Sequence, residues 1–424
     1  MRVDADDYGR PCSCGREHQI DVREIVIESG AVQELETEMS DGFLKEYISP
    51  LLICDTNTNA ATEEIMEEIY DRCQVLVLDA DELSADNYAI DVLENNMDED
   101  IDLILAVGSG TIHDISRYMA YKYKVPFVSV PTAASMDGFA ANVAAMTWAG
   151  LNKTIPAVAP LAIFADTDII TAAPARLNAA GVSDILAKYI CLIDWKISYM
   201  LTGEYYCAQI VEIQERAIKL VKSSLRAVAD FDEDGCEKLI EALILSGIAV
   251  QLVGNSRPAS GAEHQLAHLW DMQVINGPLS AYHGETVSVA ALCVLREYKR
   301  IARAIEDGRC SVKETYETER SLWEEYFGKK GLLDLILEEN TPDPLKEISR
   351  ETLEDCLQDI AEMIEELPDE ETMIHMMEKA GCVYEPEELG LSDEIVPLSL
   401  QLAPYTRKRL SLLRISKMLE IREE

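Results

Sequence analysis

Positive charge is scarce in this sequence. Across 424 residues, 37 lysines and arginines face 78 aspartates and glutamates, a net charge of −41. Such a surface repels nucleic-acid phosphates and anionic membranes, so nucleic acid is excluded as a partner and any anionic ligand needs a locally basic pocket. Long apolar runs are missing too. None reaches the roughly 18 residues of a membrane helix, and Met1–Asp7 has no basic-then-apolar signal pattern. No membrane insertion is expected, and the cytoplasm is the expected location. A disulfide framework is also absent from the pattern. The eleven cysteines are odd in number and lie mostly in apolar or helical stretches, as Cys191, Cys207 and Cys293 do, which suits reduced thiols. Cys12-Ser13-Cys14-Gly15 with His18 offers three metal-binding side chains. No partner pair follows at zinc-finger spacing, so that segment is expected to carry no metal. Histidine is rare, with six in the chain, and three of them fall between His264 and His283.

What is present reads first as alternating strands and helices. Apolar runs at Glu24–Glu28, Pro50–Asp55, Gln74–Leu78, Ile101–Val107 and Pro126–Val130 predict five strands. Helical patterns at 61–71, 87–95 and 112–123 separate several of them. This order predicts an α/β domain with a mainly parallel, Rossmann-like sheet and helices on both faces. Between Thr132 and Pro160 the pattern is irregular and rich in small residues, as expected of an active-site loop with short strands, one of them Leu161–Ala165. From Arg176 onward nearly every segment has helical period. The expected division is an α/β domain over 1–173 and an all-α domain over 174–424.

Several motifs carry chemistry. Gly108-Ser109-Gly110-Thr111 leaves a buried strand and opens a helix at Ile112, a turn that lets backbone approach a pyrophosphate at a helix N-terminus. A tight strand-to-helix turn would look the same. Asp55 ends the second strand, where a carboxylate can accept bonds from an adenosine ribose or simply serve a turn. Pro131-Thr132-Ala133-Ala134-Ser135-Met136-Asp137-Gly138 sits at the carboxyl edge of the fifth strand, where ligands of open sheets bind. Asp184 in Gly181-Val182-Ser183-Asp184 is either a helix cap or an oxygen ligand. His264 and His268, four apart on a predicted helix, face one side, and His283 follows; imidazole suits zinc, nickel and iron. Arg257, in the loop before that helix, is a candidate phosphate anchor, as is Lys188.

Taken in order, GSGT after a strand, PTAASMDG, GVSDILAKY, SRPASGAEHQLAHLW and AYHGE resemble the sn-glycerol-1-phosphate dehydrogenases, bacterial branch, of the iron-containing alcohol dehydrogenase and dehydroquinate synthase-like superfamily. The resemblance spans most of the chain, including the CSCGREH segment. It implies a nucleotide-binding domain, a helical domain and an active site in the cleft. By matching motifs it implies Asp184, His264 and His283 as metal ligands, with Asp137 and His268 meeting substrate. Gly108, Ser109, Gly110, Thr111, Ile112, Thr132 and Ser135 match the nicotinamide cofactor site, and Asp55 the ribose contact. Ala141 stands where the family often has a cofactor-contacting serine. The implied reaction is reversible reduction of dihydroxyacetone phosphate by NAD(H), with NADP(H) as the alternative. It uses one divalent metal, Ni2+ or Zn2+, with Fe2+ also accepted by such ligands, and a homo-oligomer is expected. The competing readings are a glycerol or polyol dehydrogenase, a dehydroquinate synthase-like cyclase, and a non-catalytic nucleotide-binding protein.

Overall fold

A computed structural model describes residues 12–81, 83–316 and 319–422; the Met1–Asp7 reading lies outside them. Two compact units divide the chain. The first holds the described residues through Ile185 together with Ala208–Ser256, and the second holds Leu186–Cys207 with the described residues from Arg257 on.

The first unit is built on the predicted alternation. Its elements run β1 (Glu24–Glu28), α1 (Ala31–Ser40), β2 (Pro50–Asp55), α2 (Thr56–Thr62), α3 (Glu67–Tyr70), β3 (Gln74–Leu78) and α4 (Asn87–Glu94). Next come β4 (Leu103–Gly108), α5 (Gly110–Tyr123), β5 (Phe127–Pro131), β6 (Val143–Trp148), β7 (Leu151–Pro156), β8 (Ala162–Asp166) and α6 (Thr167–Thr171). Six strands form one sheet in the order β1-β8-β5-β4-β2-β3, and every pairing in it is parallel. Successive residues of a strand face opposite sides. Leu52, Cys54, Leu105, Val107 and Val128 accordingly pack with Val32, Leu35 and Ile69 of α1 and α3. Leu51, Ile53, Ile104, Ala106 and Phe127 pack on the other face with Ile90, Leu93, Ile115 and Met119 of α4 and α5. Cover on both faces is why these strands read as continuous apolar runs rather than alternating ones.

This order creates a switch point. From β2 the chain moves outward to β3, and it returns to β4 on the opposite side of β2. Loops leaving β2 and β4 therefore part at their carboxyl ends, the usual ligand crevice of an open α/β sheet. Asp55 and Gly108 are the last residues of those two strands.

The stretch expected as a loop with short strands resolves into two things. Strands β6 and β7 make an antiparallel hairpin. Its turn residues Ala149 and Gly150 both have positive φ, 52° and 80°, as a two-residue turn of that twist requires. Strand β8 is a sixth parallel member of the main sheet, hydrogen-bonded between β1 and β5.

Beyond the last sheet strand follow α7 (Ala175–Leu186), α8 (Lys188–Thr202), α9 (Ala208–Ala229) and α10 (Glu233–Val253). Helices α9 and α10 group with the sheet rather than with the later helices. One reason is steric. A methyl group built on Gly247 of α10 would lie 2.8 Å from the Ala140 nitrogen and 2.9 Å from the Asp137 carbonyl oxygen, so only glycine lets this helix approach the loop after β5 so closely. The second unit contains α8, α11 (Ala262–Asp271), α12 (His283–Glu306) and further helices such as Arg350–Glu365 and Glu370–Ala380. A two-stranded antiparallel ribbon, Cys310–Val312 with Leu419–Ile421, accompanies them. No helix among the described residues is long and apolar enough to cross a membrane.

Candidate active site

In the first unit, the GSGT turn and the PTAASMDG loop are brought together. Ser109 is the residue before α5, and its side chain does not cap the helix. The opening N–H groups of the helix and its positive dipole end are thus presented by backbone alone, the arrangement suited to a diphosphate. Both glycines are sterically required. A methyl at Gly108 would lie 2.6 Å from the Ile112 Cβ, and one at Gly110 would lie 2.8 Å from the Met136 Cγ. The Thr132 N–H donates to the Gly108 carbonyl at 3.0 Å, which extends the β4–β5 ladder into the loop. Thr132 and Ser135 are buried beside this turn. Asp55 caps α2: its Oδ1 accepts the N–H groups of Asn57 and Thr58, each at 2.9 Å.

Asp184 is buried on α7. Its Oδ2 accepts the Asp137 backbone N–H at 3.0 Å. Asp137 in turn accepts the Ser246 hydroxyl at 2.7 Å. One turn before Asp184, the backbone of Gly181 lies against Ala134; a methyl there would overlap the Ala134 carbonyl oxygen and sit 2.9 Å from its carbon. Helix α7 therefore docks directly on the loop that carries Ser135 and Asp137.

A residue the sequence did not point to holds this loop. Arg117 of α5 is fully buried. It donates to the carbonyls of Gly138, of Phe139 at 3.3 Å and of Val143 at 3.2 Å, and pairs with Asp114 at 3.1 Å. Burial lowers its pKa, with Asp114 opposing. Nothing in a lone arginine on a helical pattern distinguishes it from a surface cation.

His113, adjacent to the same turn, is also buried, bonded to the Ser109 carbonyl at 2.9 Å and the Ser129 hydroxyl at 2.7 Å. Burial drives its pKa down to about 3, against the pull of the Ser109 bond. The folded chain thus refuses a proton that the unfolded chain takes near pH 6.5, so the penalty is absent above that pH and grows as pH falls toward 3. We expect roughly 2 kcal/mol of stability to be lost through this group between pH 6.5 and 5. Denaturant midpoints across that range should fall more steeply for the wild type than for His113→Asn; equal slopes would contradict a buried neutral imidazole.

In the second unit the three histidines converge. Ring centroids of His264 and His283 are 5.3 Å apart, those of His268 and His283 5.3 Å, and those of His264 and His268 6.1 Å. Asp271, three residues beyond His268 on α11, completes the group: its Oδ2 lies 3.5 Å from the His268 Nδ1 and 3.8 Å from the His283 Nδ1. The ligand atoms of His268, Asp271 and His283 all lie within 4.8 Å of one another. Burial would raise the Asp271 carboxyl, yet the neighbouring His268 and His283 hold it down at about 2. Burial, helped by the charge of Arg407, lowers His268 to about 3. Burial also lowers His264 well below its ordinary value, with Lys188 and the neighbouring histidines acting in the same direction. The unprotonated imidazole is the form that binds a metal, so the donor set fits a divalent cation. Asp271 was legible only as an i,i+3 neighbour of His268.

Around this group cations gather, interleaved with carboxylates. Arg407 donates to the His268 Nε2 at 2.9 Å, and Arg409 donates to the Ser260 carbonyl. Both are partly buried, and desolvation lowers them to about 10 and about 9. Lys188 is buried and donates to the Ala259 carbonyl at 2.9 Å. Arg257, the predicted phosphate anchor, is gripped by Glu204 through contacts of 2.6, 3.0 and 3.2 Å. The ring of His264 is held through Nδ1 by Glu263 at 2.8 Å. Burial, with the charge of Asp194, pushes Glu263 up to about 8. Asp194 anchors the whole corner, accepting from the Tyr298 hydroxyl at 2.6 Å and from the N–H groups of Ala262 at 2.8 Å and Leu412 at 2.7 Å.

Comparison with known proteins agrees with this geometry. The family model described as "Iron-containing alcohol dehydrogenase" matches residues 26–174. A glycerol-1-phosphate dehydrogenase [NAD(P)+] of Geobacillus stearothermophilus is 32% identical over 407 residues, covering 94% of this chain and 93% of its own. One from Halalkalibacterium halodurans is 30% identical over 411 residues, covering 95% and 94%. One from the archaeon Methanosarcina mazei is 35% identical over 204 residues, covering 48% and 56%. Among solved structures, a 1,3-propanediol oxidoreductase superposes with a TM-score of 0.61 at 17% identity, covering 94% of this chain and 96% of its own. A probable glycerol dehydrogenase of Sinorhizobium meliloti gives 0.58 at 17%, covering 90% and 88%. These two share the fold. With relatives this similar along nearly its full length, the chain belongs to the glycerol-1-phosphate dehydrogenase family.

Proposed function

We propose that this chain reduces dihydroxyacetone phosphate reversibly to sn-glycerol 1-phosphate with a nicotinamide nucleotide and one divalent metal. The observation that carries the reading is the convergence of His264, His268 and His283 beside Arg407 and Lys188 in an otherwise strongly acidic protein. A neutral polyol needs no such cations; a phosphorylated ketone does.

On the family resemblance we assign Asp184, His264 and His283 as metal ligands. Nickel, zinc and iron(II) all accept one carboxylate and two imidazoles, and we favour nickel or zinc. When bound, such a metal acts as a Lewis acid toward a carbonyl oxygen and the alkoxide it becomes. Asp271 orients the imidazoles of His268 and His283 by accepting from both, as carboxylates behind metal-site histidines do. His268 holds a substrate hydroxyl or passes a proton to the developing alkoxide through water; its low pKa keeps it neutral and able to accept at pH 7. Asp137 binds a second substrate hydroxyl. With Arg257 committed to Glu204, Arg407 is the better phosphate anchor. Arg407→Met should raise KM for dihydroxyacetone phosphate about 10- to 100-fold while leaving NADH affinity unchanged; an unchanged KM for dihydroxyacetone phosphate would remove the anchor assignment.

The nucleotide sits over the GSGT turn, where the N–H groups of α5 meet its diphosphate and Thr132 and Ser135 line its path. The nicotinamide ring supplies or accepts the hydride. Oδ1 of Asp55 is spent on α2, so we assign Oδ2 to the adenosine ribose. Asparagine caps helices about as well as aspartate, so Asp55→Asn separates the two roles. It should weaken NADH binding about tenfold with little change in stability, and unchanged affinity would remove the ribose contact.

The deciding experiment is NADH oxidation by the purified, metal-loaded protein with dihydroxyacetone phosphate, free dihydroxyacetone and a heptulosonate phosphate. Turnover should be confined largely to the first. Preference for the free ketone would favour a polyol dehydrogenase, NADH-independent phosphate release from the third a cyclase, and no turnover a nucleotide-binding role.

A further inference from the structure

In the sequence, Cys12, Cys14 and His18 have no fourth ligand at zinc-finger spacing. The fold changes that. The turn Cys12–Gly15 is closed by the Gly15 N–H on the Cys12 carbonyl at 3.1 Å, with Gly15 at φ +82°. The Cys14 N–H points at the Cys12 sulfur at 3.4 Å. Four residues on, the Nε2 of His18 lies 3.4 Å from the Cys14 sulfur. Sulfur and nitrogen that share a tetrahedral zinc, with bonds of roughly 2.3 and 2.0 Å, stand about 3.5 Å apart. The three ligand atoms lie within 4.8 Å of one another. His18 is buried, and its Nδ1 faces the Leu252 carbonyl at 3.1 Å. That carbonyl can only accept, so it fixes the proton on Nδ1 and turns the Nε2 lone pair toward the sulfurs, which is how metal-binding histidines are oriented.

The fourth donor follows from the helix pair that carries Leu252. Helices α9 and α10 run antiparallel, with Gln214 bonded to Ser246 at 2.9 Å and Arg216 to Glu241 at 2.6 Å. Six residues back from Gln214 is Ala208, and six on from Ser246 is Leu252. The register therefore sets the start of α9 beside the carbonyl that His18 uses. Cys207, buried, is joined to Ala208 by a peptide bond.

We propose that Cys12, Cys14, His18 and Cys207 form a structural zinc site, separate from the catalytic metal. Three sulfurs and one imidazole nitrogen close the tetrahedron and leave no position for substrate, so the role is to fasten residues 12–18 to the end of the α9–α10 pair. The donors are too far apart in sequence for any zinc-finger spacing to announce them. The proposal does not depend on the reaction assigned above.

Cobalt substitution of the full chain tests it, because thiolate ligands give Co2+ an intense near-ultraviolet charge-transfer band that imidazole and carboxylate ligands do not. The wild type and His264→Ala should both show the band and retain one zinc per chain at this site. Cys207→Ser and Cys14→Ser should lose the band and that zinc, with a lower melting temperature. If a variant fails to fold, a thiol-blocking mercurial applied to the wild type should release one zinc equivalent, read with a colorimetric chelator. No thiolate band in the cobalt-loaded wild type, no zinc released by the mercurial, or full zinc retention by folded Cys207→Ser would each overturn the proposal.

Discussion

His264→Ala is expected to abolish turnover, by at least about a thousandfold, and to leave the catalytic site without metal after chelation. The size follows from the role. Lewis-acid stabilisation of an alkoxide is worth several kcal/mol, and roughly 4 kcal/mol corresponds to three orders of magnitude in rate. The imidazole is buried, depressed in pKa and fixed by Glu263, so no neighbouring group can swing into its place without losing its own partner. Asp184→Asn should behave alike, whereas Asp271→Asn should keep the metal at about 10- to 100-fold weaker affinity, as expected of a carboxylate that orients ligands rather than binding. Circular dichroism should show all three folded. Stoichiometric metal and full activity in chelated His264→Ala, with the thiolate-bound zinc counted separately, would remove the ligand assignment.

Gly181→Ala should destabilise the protein by about 1–3 kcal/mol or more and weaken catalysis with it. The sign is what makes the test sharp. Within a helix, replacing glycine by alanine ordinarily stabilises by up to about 1 kcal/mol. Here the methyl would overlap the Ala134 carbonyl oxygen, so α7 must retreat from the loop it docks on. Retreat breaks the 3.0 Å bond between the Asp137 N–H and Asp184, so metal affinity should fall together with the melting temperature. Gly277→Ala, where a methyl meets nothing within 4 Å, serves as the control. A Gly181→Ala protein at least as stable as the wild type would show that the loop yields freely.

How far the sequence carried the structure depended on how local each signal was. Pro50–Asp55 was legible to the residue because it is a parallel strand buried along its whole length, and Gln74–Leu78 by its Val-Leu-Val-Leu run, although it lies at the sheet edge with Val77 exposed. The GSGT turn was legible because Gly108 is forced by Ile112, four residues on in the same motif. Arg117, Arg407 and Glu204 were not: each works through a partner at least 21 residues away, and alone each looks like a solvated charge. Strand β8 was seen as a strand, but its insertion between β1 and β5 is decided by pairing across the sheet, which no window of sequence contains. The grouping of α9 and α10 with the sheet escaped for the same reason, since helical period says nothing about which neighbour a helix covers.

The place of β1 has a consequence for how the chain is made. Among the described residues Glu24–Glu28 pairs only with Ala162–Asp166, so on a ribosome this segment emerges long before the strand it must join. Parallel pairing across such a span is slow, and until it happens an apolar edge stays open to other chains. Glu24 and Glu28, which bracket the apolar Ile25-Val26-Ile27, put like charges at both ends of that edge, where they would discourage nascent chains from sticking to one another during synthesis.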